Sequence, residues 1–178
     1  IAAMLPVLGD GAGYLVMATK NGLIKKTATG EFDHILRSGK IAIRISEGDE
    51  LISVQFATGK DEIVVASHSG KCIRFPETDV RPMGRDTMGV KAMTLSEGDR
   101  VVDMLVLREG CDLLTVSENG YGKRTDPEDY RLQSRGGKGL LNYHVDKYGD
   151  VAAIKVVDLT DDVILISSDG ILIRIPAD

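Results

Sequence analysis

Basic residues recur at one fixed position in this sequence, four residues after a glycine that lies in a short polar turn. Intervals of 48, 50 and 50 residues separate these glycines, which are Gly22, Gly70, Gly120 and Gly170. The basic residues that follow them are Lys26, Arg74, Arg124 and Arg174. Lysine and arginine make up only 22 of the 178 residues, so four matches at four positions are not expected by chance. A cation repeated once per module can bind successive phosphates, or it can protect exposed strands from edge-to-edge pairing.

More basic residues lie in three glycine-containing loops, at 34–45, 80–95 and 130–145. These residues are Arg37, Lys40, Arg81, Arg85, Lys91, Arg131, Arg135 and Lys138. Lys25 and Lys123, each directly before a recurring cation, complete the candidate set. Acidic residues concentrate elsewhere, in the turns between repeats and at the start of each hairpin. We therefore expect one basic edge on a chain whose net charge is −5, because a net-acidic protein can still segregate its charges.

Residues that usually carry catalysis or bind metals show no recurring arrangement. The three histidines, His34, His68 and His144, lack metal-ligand spacing, and no Ser/His/Asp or Cys/His set repeats. Gly84 and Gly89 have the glycine spacing of a Walker A loop, but valine stands where its lysine belongs. The two cysteines have no metal-type partner nearby, which favours a reduced, cytoplasmic chain. We expect no catalysis, metal or cofactor in this chain.

The turn glycines belong to four hairpins, each built from two runs rich in apolar and β-branched residues. The hairpins are predicted at Tyr14–Thr27, Asp61–Phe75, Cys111–Thr125 and Asp161–Ile175. Asn119-Gly120 is the clearest turn, because both central residues of such a turn need a positive φ. A period near 50 residues is typical of propellers and other arrays of one repeated unit.

Further strands are predicted on both sides of the hairpins. Those before a hairpin are Ile1–Leu8, Leu51–Ala57, Val101–Leu107 and Val151–Val157. Those after a basic loop are Ile41–Ile45, Val90–Leu95 and Leu140–Val145. We predict one all-β domain of about four propeller-like blades without substantial helix, with units at about 1–45, 51–95, 101–145 and 151–178. The last unit stops after its hairpin, which suggests that the chain is a fragment of a longer protein.

Duplex DNA bent around the edge of the array is the ligand that these cations fit best. Phosphate contacts position a duplex without reading its sequence, and the contacts that bending adds repay its cost. Aromatic residues make up 4% of the chain and tryptophan is absent, so stacking on single-stranded bases is a weaker option. The rival hypothesis is a propeller-like interaction scaffold that never binds DNA, and it predicts basic residues scattered around the disc.

Five segments of the sequence are together specific for one known family. They lie at Met17–Thr27, Glu47–Val54, Val80–Val90, Glu118–Thr125 and Gln133–Gly139. They resemble the C-terminal domain of the A subunit of bacterial DNA gyrase, a type IIA topoisomerase, and the likeness extends over essentially the whole chain. The resemblance implies a β-pinwheel, which is a propeller-like disc whose blades exchange strands with their neighbours.

The resemblance also implies a function and partners. The domain is expected to wrap duplex DNA around its basic edge with positive handedness, so that the intact enzyme introduces negative supercoils. The implied partners are the remainder of gyrase A and the B subunit in an A2B2 enzyme, with ATP, Mg and the catalytic tyrosine in other parts. The isolated chain is expected to be monomeric, cytoplasmic and nucleoid-associated, and no apolar run is long enough to span a membrane.

One motif departs from the family's pattern. Gln133–Gly139 has Ser134 where the hallmark Gln-Arg-Arg-Gly-Gly-Lys-Gly box has arginine, and it lies in the third unit instead of the first. We interpret it as a later copy of the box, with the true box upstream of this sequence. The departure leaves open the paralogous topoisomerase IV, whose corresponding domain has fewer blades and a degraded box.

Overall fold

The structure is a computed structural model that describes residues 3–5, 13–34 and 37–178. The strands in these residues are β1 (Tyr14–Thr19), β2 (Leu23–Ala28), β3 (Leu51–Ala57), β4 (Glu62–Ser67), β5 (Lys71–Pro76), β6 (Val90–Lys91), β7 (Val101–Val106), β8 (Asp112–Ser117), β9 (Gly122–Thr125), β10 (Leu140–Leu141), β11 (Val151–Val157), β12 (Asp162–Ile166) and β13 (Leu172–Pro176). One helical turn is present, α1 (Val145–Tyr148). Short 3-10 turns lie at Thr29–Phe32, Glu77–Asp79 and Pro127–Asp129. The predicted all-β fold without substantial helix is confirmed.

All four predicted hairpins form, as β1–β2, β4–β5, β8–β9 and β12–β13. Each turn glycine has a positive φ between +81° and +87°, which is strained for other residues. At Gly70 the constraint is also steric, because a Cβ atom there would lie 2.3 Å from the carbonyl oxygen of Tyr143. This glycine therefore forms the turn and also lets the backbone of the next repeat approach.

The strands before the hairpins complete the sheets of the preceding hairpins. The sheet orders are β3-β1-β2-β6, β10-β5-β4-β7, β11-β8-β9 and β12-β13. β3 pairs with β1, β7 with β4 and β11 with β8, all antiparallel. The sequence pattern grouped each of these strands with the hairpin that follows it, and that grouping is wrong. A periodic sequence has no marked starting point, so it does not show which hairpin an intervening strand joins.

The strands after the basic loops also cross to a neighbouring sheet. β6 pairs with β2, and β10 pairs with β5. Each of these strands passes over the hairpin directly before it and is donated to the hairpin one repeat earlier. This is the strand exchange that the resemblance implied. The donated strands are shorter than predicted, and Ile41–Ile45 forms no strand. Most of Ile1–Leu8 lies outside the described residues, and its described part, residues 3–5, is not a strand.

The order of strands separates an inner and an outer edge of the array. β3, β7 and β11 contact one another across the repeats, and we call this inner edge the hub. β2, β5 and β9 lie two strands from the hub, and the donated strands β6 and β10 lie beyond them. We call this outer edge the rim. The second and third basic loops lie at the rim because they lead into β6 and β10, and the first lies beside β2, where Lys25 donates to the carbonyl of Ala42.

Apolar side chains between neighbouring sheets form the core. One cluster joins Val16 and Ile24 of the first hairpin to Ile63 and Phe75 of the second, and another continues through Leu113 to the third. Burial of each such side chain contributes about 1.5–3 kcal/mol, so the stacking of repeats stabilises the array. The last hairpin has no later sheet against it, and its exposed apolar residues are Ile164, Ile166, Ile171, Leu172, Ile173 and Ile175. No helix in the described ranges is long and apolar enough to cross a membrane.

Candidate nucleic-acid interface

The recurring cation of each hairpin contacts the first side chain of that hairpin. In the last three hairpins that side chain is acidic, and the ion pairs are Arg74–Glu62, Arg124–Asp112 and Arg174–Asp162. The first two pairs have Nε–carboxylate distances of 2.6 Å and 2.9 Å. In the first hairpin Tyr14 replaces the acid, and Lys26 Nζ lies 4.8 Å from the centre of its ring. Each recurring cation thus has a side-chain partner on the neighbouring strand of its own hairpin.

The same cation also bonds to the following repeat. Lys26 Nζ donates to the carbonyl of Glu77 at 3.2 Å, and Arg74 Nη1 donates to the carbonyl of Pro127 at 2.9 Å. The acceptor for Arg124 Nη1 is the carbonyl of Ala177. The three acceptors lie 50 residues apart, at the same position of successive repeats. The recurring cation therefore bridges neighbouring blades in the first three hairpins, which is a structural reason for its presence there.

Exposure of the recurring cations increases along the chain. The exposed fraction of the side chain is 4% for Lys26, 8% for Arg74, 34% for Arg124 and 67% for Arg174. Lys26 Nζ also lies 3.3 Å from the buried carboxylate of Glu77. The structure therefore weighs against the predicted phosphate contact at Lys26 and Arg74, because both are desolvated and already paired.

Arg74 makes the most extensive set of contacts among the recurring cations. Its guanidinium bonds to the carboxylates of Glu62 and Glu128 and to the carbonyls of Pro127 and Tyr130. The hydrogen bond to Glu128 raises the pKa of Arg74 above its ordinary value. Three of these partners, Pro127, Glu128 and Tyr130, follow the third hairpin. Arg74 therefore joins the second hairpin to the segment after the third.

Lys25 is fully buried, and it does not contribute to the basic edge. Its ammonium group donates to the carbonyl oxygen of Ala42 at 2.5 Å and to that of Arg85. Burial lowers the pKa of Lys25 below its ordinary value. The structure weighs against the predicted phosphate contact here too, because the ammonium joins the first basic loop to the second. Lys123 occupies the equivalent position of the third hairpin and is exposed.

Three further predicted cations use their donors on backbone carbonyls. Lys40 Nζ donates to the carbonyls of Glu31 and Asp33, which lie just before its own loop. Arg85 Nη1 donates to the carbonyl of Ile41 at 3.1 Å, and Arg135 Nη1 donates to that of Lys91 at 3.0 Å. All three side chains are half-buried. They connect loop segments, so they are only partly available to a ligand.

Six predicted cations have exposed side chains that make neither a hydrogen bond nor an ion pair to the described part of the chain. They are Arg37, Arg81, Lys91, Lys123, Arg131 and Lys138. Four of them lie in the basic loops outside any strand, Lys91 ends the donated strand β6, and Lys123 lies on the outer strand β9. We call this set the free rim cations. They are the groups that could bind phosphates without first breaking a contact inside the protein.

Acidic residues are not fully excluded from the rim. Asp126, Glu128 and Asp129 are exposed beside the third basic loop, and Asp86 pairs with Arg44 at 2.6 Å in the second. The predicted segregation of charge is therefore incomplete.

The Gln133–Gly139 segment packs one repeat against the previous one. The amide of Gly136 donates to the carbonyl of Ala92 at 2.6 Å. A Cβ atom at Gly139, where φ is +73°, would lie 2.5 Å from the carbonyl oxygen of Cys72. The glycines of this motif therefore allow two backbone segments to pack closely. Lys138 of the same motif is exposed at the rim.

The hub holds a polar cluster that no sequence pattern indicated. His68 Nε2 lies 3.0 Å from Glu118 Oε1, and its Nδ1 lies 3.8 Å from Asp150 Oδ2. These three side chains could supply ligands for a metal ion. Arg100, however, lies 3.8 Å from Glu118, and its charge opposes a second cation there. Glu118 lies 50 residues after His68 and Asp150 another 32 residues on, so no local motif could have revealed them.

Comparison with known proteins places the chain in a family. The model described as DNA gyrase C-terminal domain, beta-propeller, matches residues 13–57, 61–108, 112–158 and 161–178. The DNA gyrase A protein of Staphylococcus aureus is 43% identical over 98% of this chain, and the chain spans 20% of the length of that relative.

Two solved structures share the fold. The structure of a DNA gyrase A C-terminal domain gives a TM-score of 0.81 at 30% identity, covering 93% of this chain and 56% of the other. The crystal structure of the C-terminal domain of a DNA topoisomerase IV gives a TM-score of 0.87 at 22% identity, covering 95% and 54%. At that identity the second likeness concerns the fold alone. On its sequence, its exchanged strands and these matches, the chain belongs to the family of DNA gyrase A C-terminal domains.

Proposed function

We propose that this chain is a non-catalytic module that binds duplex DNA and wraps it around the rim, and so directs negative supercoiling by the intact topoisomerase. The observation that carries the proposal is the set of free rim cations. They come from all three basic loops and from β9, and the two that lie in strands, Lys91 and Lys123, are on the outermost strands of their sheets. A row of unpaired cations along a curved edge favours a bent polyanion, because each added phosphate contact releases a counterion.

The buried cations define how far this proposal extends. Lys25, Lys26 and Arg74 bind to groups inside the protein, so the proposed DNA contacts do not include them. Arg124 and Arg174 are more exposed but already paired with carboxylates, and contact with a phosphate would require exchange of partners. The loops, more than the hairpin strands, are therefore the proposed DNA-binding elements.

The parent protein is proposed to be gyrase A, which works through its remaining domains and with the B subunit in an A2B2 enzyme. ATP and Mg would act in those other parts, and this chain is proposed to need no cofactor. A bacterial cytoplasmic location at the nucleoid follows from the same proposal. The identity of 43% to a gyrase protein favours gyrase over topoisomerase IV, which remains the second candidate because of the shared fold.

Charge neutralisation at the rim tests the proposal. Arg81, Lys91, Arg131 and Lys138 are changed together to glutamine, and duplex binding is measured against salt concentration. Each lost phosphate contact should lower the slope of log K against log salt by about one unit. A matched control removes four cations that pair with carboxylates near the hub, at Lys20, Arg100, Arg108 and Lys155.

The control variant carries the same net charge as the rim variant. It should keep most of the slope if the rim binds DNA, because net charge alone has only a long-range effect that salt screens. Equal losses in the two variants would contradict the assignment to the rim. Failure of the unaltered chain to bind duplex DNA would instead favour the rival hypothesis of an interaction scaffold. Binding without positive writhe, trapped by ligation of a nicked circle, would contradict wrapping.

A further inference from the structure

Arg135 binds two segments of the preceding repeat at the rim. Its Nε donates to the carbonyl oxygen of Asp79 at 2.9 Å, and its Nη1 donates to that of Lys91 at 3.0 Å. The two acceptors lie 12 residues apart, Asp79 directly before the second basic loop and Lys91 at the end of β6. A planar guanidinium can span two such carbonyls, whereas a lysine ammonium acts as a single point donor.

Backbone hydrogen bonds reinforce the same junction. Thr94 donates its amide to the carbonyl of Gly137 at 2.8 Å, and its hydroxyl Oγ1 to the carbonyl of Gly136 at 2.8 Å. The amide of Gly136 in turn donates to the carbonyl of Ala92 at 2.6 Å. We call this set of contacts, with those of Arg135, the loop seam. It holds the third basic loop directly against the segment that follows Lys91.

The seam recurs one repeat earlier. Arg85 lies 50 residues before Arg135, and its Nη1 donates to the carbonyl of Ile41, which lies 50 residues before Lys91. The amide of Arg44 donates to the carbonyl of Thr87 at 2.9 Å, as Thr94 does to Gly137. The same arginine therefore makes the same bond to the same backbone position at both junctions between basic loops.

We propose that Arg135 and Arg85 are positioning residues that set the spacing of free rim cations from one loop to the next. This inference rests on the proposed function. Arg131 and Lys138 flank Arg135 in sequence, and Lys91 supplies one of its acceptors. The seam therefore fixes cations of the third loop relative to a cation of the second. A duplex that contacts both loops at once should depend on this seam. Because the loops are already held together, DNA binding does not have to order the second loop after the first.

Local phosphate binding and wrapping are measured separately, each with its own assay. The first is the salt slope on a duplex of about ten base pairs, roughly one helical turn, which reports phosphate contacts but is too short to wrap around the rim. The second is the positive writhe trapped when a nicked circle is ligated on the protein. Arg135→Lys keeps the charge and loses the second hydrogen bond. Thr94→Val removes a seam hydrogen bond without any change of charge, and Arg131→Gln serves as the phosphate-contact reference.

Arg135→Lys should leave the salt slope within about 0.3 units of the unaltered chain and lose most of the trapped writhe. Thr94→Val should lose part of the writhe with no change in slope, and Arg131→Gln should lower the slope by about one unit. A circular dichroism melt of each variant confirms that the array remains folded. Normal writhe in both Arg135→Lys and Thr94→Val overturns the inference while leaving the proposed function intact. Absence of duplex binding by the unaltered chain overturns both.

Discussion

Lys26 Nζ lies 3.3 Å from Oε1 of Glu77, and both side chains are almost completely buried between the first two repeats. The other carboxylate oxygen of Glu77 accepts hydrogen bonds from the amides of Gly59 and Asp61. The recurring basic position of the sequence thus contributes to the joining of repeats. In the first hairpin the charge at this position is already paired with a carboxylate of the protein.

Loss of this pair should destabilise the chain strongly. Lys26→Met leaves the carboxylate of Glu77 buried without its cation, which typically costs about 3–5 kcal/mol. Urea unfolding monitored by circular dichroism measures the change. The double variant Lys26→Met/Glu77→Gln should be less unstable than the sum of the two single variants, because the second change removes the uncompensated charge. Additive effects would show that the two residues act independently.

Gly139 should tolerate no side chain. Its φ is +73° and a Cβ atom would meet the carbonyl oxygen of Cys72 at 2.5 Å, so Gly139→Ala should cost at least about 2 kcal/mol in the free energy of unfolding. Gly84 is the control, because it lies in the same kind of loop without a positive φ or a neighbour within 4 Å. Gly84→Ala should change the free energy of unfolding by no more than about 0.5 kcal/mol. Similar losses in both variants would contradict the close approach of β10 to β5.

Cys72 should make the stability of the chain fall in alkaline solution. Burial raises the pKa of its thiol to about 12, whereas an unfolded cysteine titrates near 8.5. Between these values the unfolded state releases a proton that the folded state keeps, so stability declines as pH rises. The contribution of Cys72 is about 1.4 kcal/mol per pH unit. Urea unfolding at pH 8, 9 and 10 should show a steeper decline for the unaltered chain than for Cys72→Ala, and parallel declines would exclude this role.

Lys123 and Arg124 are adjacent on β9 and should differ in their effect on DNA binding. Lys123 is a free rim cation, while Arg124 pairs with Asp112 at 2.9 Å and bonds to the carbonyl of Ala177. Lys123→Gln should lower the salt slope of duplex binding by about one unit. Arg124→Gln should change the slope much less and instead lower the melting temperature, because it bridges two repeats. The reverse result would mean that Arg124 exchanges its carboxylate for a phosphate.

The local elements of this protein could be predicted well from sequence, because they depend on neighbouring residues. Asn119-Gly120 and the other turns impose a positive φ, and the apolar runs beside them form strands, so the four hairpins were predicted at the observed positions. Three of the strands predicted before a hairpin also form, as β3, β7 and β11, but the sequence did not show how they pair. β3 and β7 join the hairpins that precede them, and that choice depends on contacts between distant residues.

The basic residues show what the sequence does not predict, which is whether a side chain is buried and which group it pairs with. Lys25 and Lys123 occupy equivalent positions in two hairpins, yet Lys25 lies under the first two basic loops and Lys123 is exposed. Arg74 and Arg131 are both arginines near a rim loop, and only Arg74 has carboxylates within reach. Burial and partner choice at these positions depend on groups 17 to 60 residues away.

The sequence by itself determined the repeat, the hairpins and the family, because turn preference, hydrophobic pattern and motif order are properties of short segments. Only the tertiary structure decided which cations remain free, since strand exchange brings each basic loop against the backbone of its neighbour. The free energy of a charged side chain depends on the groups that surround it and on its access to water. Those surroundings come from different repeats, and they do not exist until the repeats have stacked.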